Sequence, residues 1–359
     1  MKKYSVLGLM SGTSLDGLDI AHCSLWQEEN EWKFSINQAT TIPYQEQLYQ
    51  QLKHAITLSP AAHQQLHITY GKWLGTQAKN FLDTHHISVD FIASHGHTSH
   101  HRPAEGITFQ LGDGKALAEA SGCIVINDFR TLDVALGGQG APLVPIGDKL
   151  LFASHQFCLN LGGISNISFD KEEKRIAYDI GLANMPLNYL TAKIGLAYDE
   201  NGNLARQGTL LPDLLRQLNA LTYYQLPYPK STGYEWFRAA VIPILEKFKD
   251  ASTKDLLHTI IHHNCQQIAF SIKKEKPIIN TQLLVTGGGA LNTFYTQTLT
   301  TYLPEGIQLI VPSKTIIDYK EALVFAFMGV LRVENQINIL KSVTGASRDS
   351  CSGVLHHPN

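Results

Sequence analysis

The chain has 359 residues, 44% of them hydrophobic and 17% charged, with 29 basic and 31 acidic side chains for a formal net charge of −2. That balance excludes binding to nucleic acid or to an anionic membrane through charge alone. No apolar run reaches transmembrane length, and the five scattered cysteines form neither a disulfide frame nor a zinc motif. The length suits two domains of roughly 150 residues each. Lys2-Lys3 lead straight into a strand pattern, without the apolar run of a signal peptide, so a cytoplasmic protein is expected.

In chain order, residues 4–10 and 18–26 are dense in strand formers and read as two strands. The turn between them, within GLMSGTSLDGLD at 8–19, is rich in hydroxyls. Gly12 and Gly17 let backbone amides approach a phosphate, Thr13 and Ser14 supply hydroxyl donors, and Asp16 and Asp19 can hold a cation. The turn leads into a strand, which argues against the nucleotide loops that open onto helix N-termini; no GxxxxGK[ST] occurs. Residues 32–42 make a third strand and a helical pattern fills 44–86. Short strands follow at 91–94, 108–111 and 123–127, with a helix at 115–121.

The second half echoes the first. Strands at 156–161 and 166–169 flank Gly162-Gly163, and a strand-like run at 175–178 ends at Asp179. Helices are expected at 185–194, 210–221, 234–249 and 254–273. A strand then enters Val285-Thr286-Gly287-Gly288-Gly289, followed by a helix, a strand at 307–312 and a last helix from about 319. Two hairpin-led halves predict a duplicated α/β fold with a cleft between its lobes. The first lobe spans 1–130 and the second 131–359, with the last helix free to pack back on the first. Any one glycine cluster alone reads as a tight turn; three in this order read as a nucleotide site.

The ordered motifs are GLMSGTSLDGLD at 8–19, ASHGHTSHHRP at 93–103, FQLGDG at 109–114 and NDFRTLDVALGGQGAPLVP at 127–145. LNLGGISNIS at 159–168, PKSTGYEWF at 229–237, VTGGGALN at 285–292, the Asp318–Ala322 segment and SVTGAS at 342–347 complete them. Together they resemble the anhydro-N-acetylmuramic acid kinase family of the actin/sugar-kinase superfamily. The resemblance implies a two-lobed, actin/hexokinase-like, duplicated ribonuclease H-like fold with ATP in an interlobe cleft. It implies conversion of 1,6-anhydro-N-acetylmuramic acid, ATP and water to N-acetylmuramic acid 6-phosphate, in peptidoglycan recycling. A Mg²⁺ requirement, a cytoplasmic setting and a homodimer go with it.

The resemblance assigns residues as well. Gly12, Thr13, Ser14, Leu15, Asp16, Gly17, Leu18 and Asp19 wrap the phosphates, with Asp16 reaching Mg²⁺ directly or through water. Gly162 and Gly163 face them from the other lobe, and Gly287, Gly288 and Gly289 approach the nucleotide. Asp179, otherwise an ordinary turn or N-cap aspartate, becomes the catalytic base. His97, Thr98, Gln110, Arg130, Asp133 and Glu321 become substrate contacts, and Arg130 between two carboxylates suits a lactyl carboxylate. His95, His97, His100 and His101 lie close together without the Cys or carboxylate partners of a zinc site, and read as a cleft-lining turn.

The chain departs from the family pattern at three places. Asp179-Ile180-Gly181-Leu182-Ala183-Asn184 replaces the usual Asp-Thr-Gly-Pro-Gly-Asn, His97 replaces a Gln, and Tyr234 replaces an Arg. Two alternatives therefore stand beside the leading one: a kinase for a different amino sugar, and a catalytically idle nucleotide-binding sensor.

Overall fold

The N-terminal strand formers fold into a meander of β1 (Lys3–Ser11), β2 (Leu18–Glu28) and β3 (Glu31–Ile42). The computed structural model describes residues 2–277 and 280–359. β1 is central: it pairs antiparallel with β2 and parallel with β4 (Phe91–Arg102), so Val6, Leu7 and Leu9 are all fully buried despite the two-residue alternation of a strand. β4 pairs antiparallel with β5 (Ile107–Leu111) and parallel with β6 (Val125–Asn127), and β12 (Val354–His356) closes that edge. The order is β12-β6-β4-β1-β2-β3, with β5 on β4.

The helix Pro60–His85 starts at the Ser59 N-cap with proline in its first turn, and buries Leu66, Tyr70, Leu74, Ala78 and Phe81 along one stripe. Burial of each leucine and of Phe81 contributes about 1.5–3 kcal/mol. Gly75 sits where a Cβ would lie 2.6 Å from the Leu117 carbonyl, so the helix Gly114–Ser121 packs backbone against backbone there.

A second sheet contains β7 (Phe157–Leu161), β8 (Ile164–Lys171), β9 (Lys174–Leu182), β10 (Thr281–Thr286) and β11 (Ile307–Ile310), ordered β11-β10-β7-β8-β9. β7, β8 and β9 are an antiparallel meander; β10 joins β7 in parallel and β11 joins β10 in parallel. In the first sheet β6-β4-β1-β2-β3 has the same order and the same directions. The chain carries the ribonuclease H-like topology twice, which is the duplicated α/β fold of the actin/hexokinase type.

Contacts divide the chain into residues up to Phe152 with Tyr319–Asn359, and Ala153–Asp318. The expected single boundary near 130 is not where this division falls. Residues 131–152 stay with the first unit because distant partners hold them there. The Asp133 carboxylate accepts from Thr344 Oγ1 at 2.7 Å, and Lys320 pairs with Asp148 at 2.6 Å, both side chains buried. Gly147 lies flat against Val324. The helix Lys314–Val333 begins earlier than expected and buries Ala322 to Met328 in the first unit. Gly8 admits it closely: a Cβ there would stand 2.0 Å from the Ala322 carbonyl oxygen.

Two local expectations change. The histidine-rich stretch is strand, not turn, because β5 pairs across it with His97 opposite Leu111 and Thr98 opposite Gln110. The helix expected at 234–249 runs continuously from Tyr234 to Glu246 and carries a π-turn at Phe237–Val241, because Pro243 has no N–H for the carbonyl one turn back. Among the described residues no helix is long and apolar enough to cross a membrane.

Candidate active site

In the first unit, the turn between β1 and β2 is built on backbone geometry that side chains disfavour. Leu15 has φ 60° and Gly17 φ 155°, and a Cβ on Gly17 would stand 2.7 Å from the Ile42 carbonyl oxygen. Gly12 differs: the nearest atom to a Cβ there is the neighbouring Ser14 Oγ at 3.4 Å, ordinary contact. Thr13, Ser14 and Asp16 are exposed around it, and Leu18 is buried in the core. The loop thus presents hydroxyls, amides and one carboxylate to solvent beside an unfilled glycine. Asp19 is partly covered and its Oδ1 accepts from Thr41 Oγ1 at 2.6 Å.

Beneath this loop a buried chain of hydrogen bonds fixes its first residue. Tyr44 gives its hydroxyl proton to Ser11 Oγ at 2.7 Å and lies 2.9 Å from the Tyr70 hydroxyl; Ser11 Oγ is 3.0 Å from His97 Nδ1. Burial lowers the His97 pKa to about 4, so its ring is neutral. The side chain is 4% exposed. His97 therefore anchors the loop from below.

Arg130 sits at the start of the helix Thr131–Ala135 with its guanidinium held at two points. Its Nε–H donates to His95 Nε2 at 3.0 Å and Nη1 donates to the Gly140 carbonyl at 2.6 Å. Burial pulls its pKa down to about 10, opposed by Glu321 and Asp133. Glu321 is exposed on one side and crowded by protein on the others. That crowding raises its pKa, Arg130 lowers it, and Asp19 raises it further. Asp133 was expected at the substrate, but it is fully buried and both carboxylate oxygens are taken: Oδ2 accepts from Gly140 N at 2.7 Å and Oδ1 from Thr344. It braces the Gly138–Gly140 turn, where a Cβ on Gly138 would meet Asp133 Oδ2 at 2.2 Å. Thr98 and Gln110 remain partly exposed neighbours across β4 and β5, with Gln110 Nε2 3.5 Å from Thr98 Oγ1.

In the second unit the β7–β8 turn, the triple glycine and Asn184 converge. The Gly162 and Gly163 carbonyls accept the amides of Asn184 (3.0 Å), Ala183 (2.9 Å) and Met185 (3.1 Å), fixing the turn to the start of the helix Asn184–Ala192. Asn184 Nδ2 donates to the Leu161 carbonyl at 3.0 Å. Gly287 (φ 80°) and Gly289 are required by packing, since Cβ atoms there would meet Asn160 Oδ1 at 2.6 Å and Leu161 Cβ at 2.7 Å. Gly163 and Gly288 are exposed, and Cβ atoms there would find nothing nearer than 3.8 and 4.0 Å. A Cβ at either position would make only ordinary contacts.

Asp179 lies in the same unit, inside β9 at a bulge: Asn166 pairs with Asp179 and Ser165 with Gly181, leaving Ile180 unpaired. Its amide donates to the Lys230 carbonyl (3.1 Å), its carbonyl accepts from the Tyr223 hydroxyl (2.8 Å), and Oδ2 accepts from Thr232 N (3.0 Å). Among the described residues Oδ1 has no hydrogen-bond partner. Burial raises the carboxyl pKa, while the Thr232 amide and the Lys230 charge pull it down. His95, Asn184, Lys230, Thr232 and Tyr223 were not singled out as site residues in the sequence. Their contacts join distant segments, and the PKSTG motif was the one available pointer to Lys230 and Thr232.

Residues 4–358 match the model of the anhydro-N-acetylmuramic acid kinase family. The chain belongs to this family. Curated relatives named anhydro-N-acetylmuramic acid kinase include one from Actinobacillus pleuropneumoniae serotype 3, 35% identical over 99% of this chain and 100% of its own length. Others are from Aliivibrio fischeri (35%, 100% of both chains) and Shewanella frigidimarina (36%, 97% of this chain and 96% of its own). A solved structure, the activator of the 2-hydroxyisocaproyl-CoA dehydratase from Clostridium difficile with bound ADPNP, is similar with TM-score 0.45 and 12% identity, over 92% of this chain and 97% of that one. As a member of the anhydro-N-acetylmuramic acid kinase family the protein is an enzyme of the sugar-kinase class.

Set against the family's pattern, the departures fall mainly inside the protein. Ile180, Leu182 and Ala183 are 1%, 3% and 0% exposed and belong to the hydrophobic core of the second unit. His97 is buried under the β1–β2 turn. Tyr234 alone of the altered positions stands open to solvent, at 57%.

Proposed function

We propose that the protein phosphorylates 1,6-anhydro-N-acetylmuramic acid with ATP while water opens the anhydro bridge, giving N-acetylmuramic acid 6-phosphate for peptidoglycan recycling in the cytoplasm. The observation that carries this is the Asp179 carboxylate. One oxygen is held by a backbone amide and the other has no hydrogen-bond partner among the described residues, on a strand bulge of a chain matched to this family nearly end to end.

In this mechanism Asp179 takes a proton from water as the water oxygen bonds to carbon 1. The bond from carbon 1 to the bridging oxygen breaks. That oxygen, kept on carbon 6, bonds to the γ-phosphorus as ADP leaves. A positioned base contributes about 10²–10⁴-fold, and the remainder comes from positioning and charge.

Gly12 to Asp19 hold phosphate through amides and hydroxyls. Gly162, Gly163, Gly287, Gly288 and Gly289 hold the nucleotide, supported by the room for a Cβ at Gly163 and Gly288. Asp16 suits Mg²⁺ in part: among the described residues no group of three His, Cys, Asp or Glu could hold a metal, so phosphate and water would supply most ligands. The ion neutralises charge on the transferring phosphoryl group when bound. Thr98, Gln110, Arg130 and Glu321 bind the sugar, with Arg130 kept rigid by His95 and Gly140 for its carboxylate. Asp133 acts through Arg130 and the turn it braces.

The deciding assay incubates purified protein with ATP, Mg²⁺ and 1,6-anhydro-N-acetylmuramic acid, beside N-acetylmuramic acid and N-acetylglucosamine. ADP and a sugar 6-phosphate are expected only with the anhydro sugar. Turnover of an open-ring sugar reassigns the acceptor, and ATP binding without ADP from any sugar favours the sensor. Light scattering at assay concentration tests the homodimer.

A further inference from the structure

We propose that Tyr44 is a positioning residue: its hydroxyl commits Ser11 to His97, so that the His97 ring carries its N–H on Nε2 and offers it to an oxygen of bound nucleotide or sugar. The inference deepens the kinase reading and rests on it for the identity of the ligand.

The chain of hydrogen bonds has one direction. Tyr44 gives its only hydroxyl proton to Ser11 Oγ at 2.7 Å, so the 2.9 Å contact between the two phenols is made by the Tyr70 proton. Ser11 is 1% exposed, and among the described residues its side chain bonds only Tyr44 and His97. Because Ser11 accepts from Tyr44, its own proton has one acceptor in reach, His97 Nδ1 at 3.0 Å. Were Nδ1 protonated instead, a buried hydroxyl proton would be left unpaired, a costly arrangement.

The phenols are held in place for this. Tyr70 stacks on Trp73 with ring centres 5.8 Å apart and planes 13° from parallel, and the Tyr44 ring centre lies 5.4 Å from that of Trp73. Burial pushes both phenol pKa values up, so both keep their protons. His97, neutral with a pKa of about 4, then carries its single N–H on Nε2. Among the described residues Nε2 has no hydrogen-bond partner, and it is not one of the fully buried side-chain atoms left without one. It therefore keeps an opening, beside Ser11, which His97 faces where β1 and β4 pair, one residue ahead of Gly12. The glutamine usual in the family offers both a donor and an acceptor; His97 in this form offers a donor alone, which selects a ligand oxygen.

The test uses the full chain labelled with ¹⁵N-histidine. Long-range ¹H–¹⁵N spectra read which ring nitrogen is protonated, and His97→Gln assigns the signal. The parent is expected with its proton on Nε2; Tyr44→Phe and Ser11→Ala, folded by circular dichroism, are expected as mixtures of both tautomers. Once calorimetry has established binding, the non-hydrolysable analogue AMPPNP is added, and then 1,6-anhydro-N-acetylmuramic acid. An Nε2–H signal that moves with AMPPNP identifies a phosphate oxygen; one that moves only with the sugar identifies a sugar oxygen. In steady-state kinetics Tyr44→Phe should raise KM for that ligand about three- to tenfold, with kcat within about twofold of the parent. A parent ring protonated on Nδ1, an unchanged tautomer in both folded variants, an Nε2–H signal that neither bound ligand moves, or a lowered kcat with KM unmoved overturns the proposal. Should the parent bind neither ligand, the kinase reading falls, and the tautomers still decide the hydrogen-bond chain.

Discussion

His95 and Arg130 form a matched pair: the guanidinium Nε–H points at His95 Nε2, 3.0 Å away, and His95 Nδ1 donates to the Gly96 carbonyl at 2.9 Å. A carbonyl only accepts and a guanidinium only donates, so the tautomer is fixed. Burial, then Arg130, holds the ring pKa well below its usual value, keeping it neutral. His95→Leu leaves the Arg130 Nε–H without its acceptor. It should cost about 1–3 kcal/mol in urea unfolding and raise KM for the sugar more than it lowers kcat.

Asp179→Asn keeps the size and one acceptor oxygen but cannot take the proton from water. Turnover should fall by about 10²–10⁴-fold with nucleotide affinity retained, as read by isothermal titration calorimetry beside steady-state kinetics. Near-parental kcat would remove Asp179 as the base.

The glycines separate into two kinds with opposite signatures. Gly288→Ala adds a Cβ with only ordinary contacts and should leave unfolding midpoints unchanged while weakening ATP binding by about tenfold, roughly 1.4 kcal/mol. Gly287→Ala meets Asn160 Oδ1 and Leu161 at under 3 Å with φ 80°, so it should lower the melting temperature by several degrees even without nucleotide.

His97 makes stability depend on acidity. Its folded pKa is about 4 against about 6.5 unfolded, so the unfolded chain binds the extra proton more tightly. The stabilisation is complete above about pH 6.5 and is lost progressively as pH falls toward 4, on the order of 3 kcal/mol from this group. His97→Gln, the family's usual residue, should flatten the dependence of unfolding free energy on pH in that window by about one proton.

Asp133→Ala removes the acceptor of both Gly140 N and Thr344 Oγ1. The two orphaned donors should cost on the order of 3 kcal/mol in denaturant unfolding. The sugar KM should rise as the Gly138–Gly140 turn, and with it the Arg130 anchor at Gly140, loosens.

The glycine loops, the meanders and the chain-order of motifs were legible because each rests on local chemistry. Leu15, Gly17 and Gly287 adopt backbone angles that few residues tolerate, and the apolar runs of β1, β2 and β7 pair wherever a turn lets them. The length of β4 was not legible, since residues 95–101 are polar and become strand through pairing with β5. The π-turn at Phe237–Val241 follows from Pro243, a signal the helical spacing around it overrode.

By itself the sequence determined the family and the doubled α/β plan, because motif order and turn chemistry reside in neighbouring residues. Tertiary structure alone decided which candidates face outward. Asp133 turned inward to a partner 211 residues away, His97 became a buried anchor, and Ile180, Leu182 and Ala183 became core. Burial depends on what packs against a side chain from elsewhere in the chain.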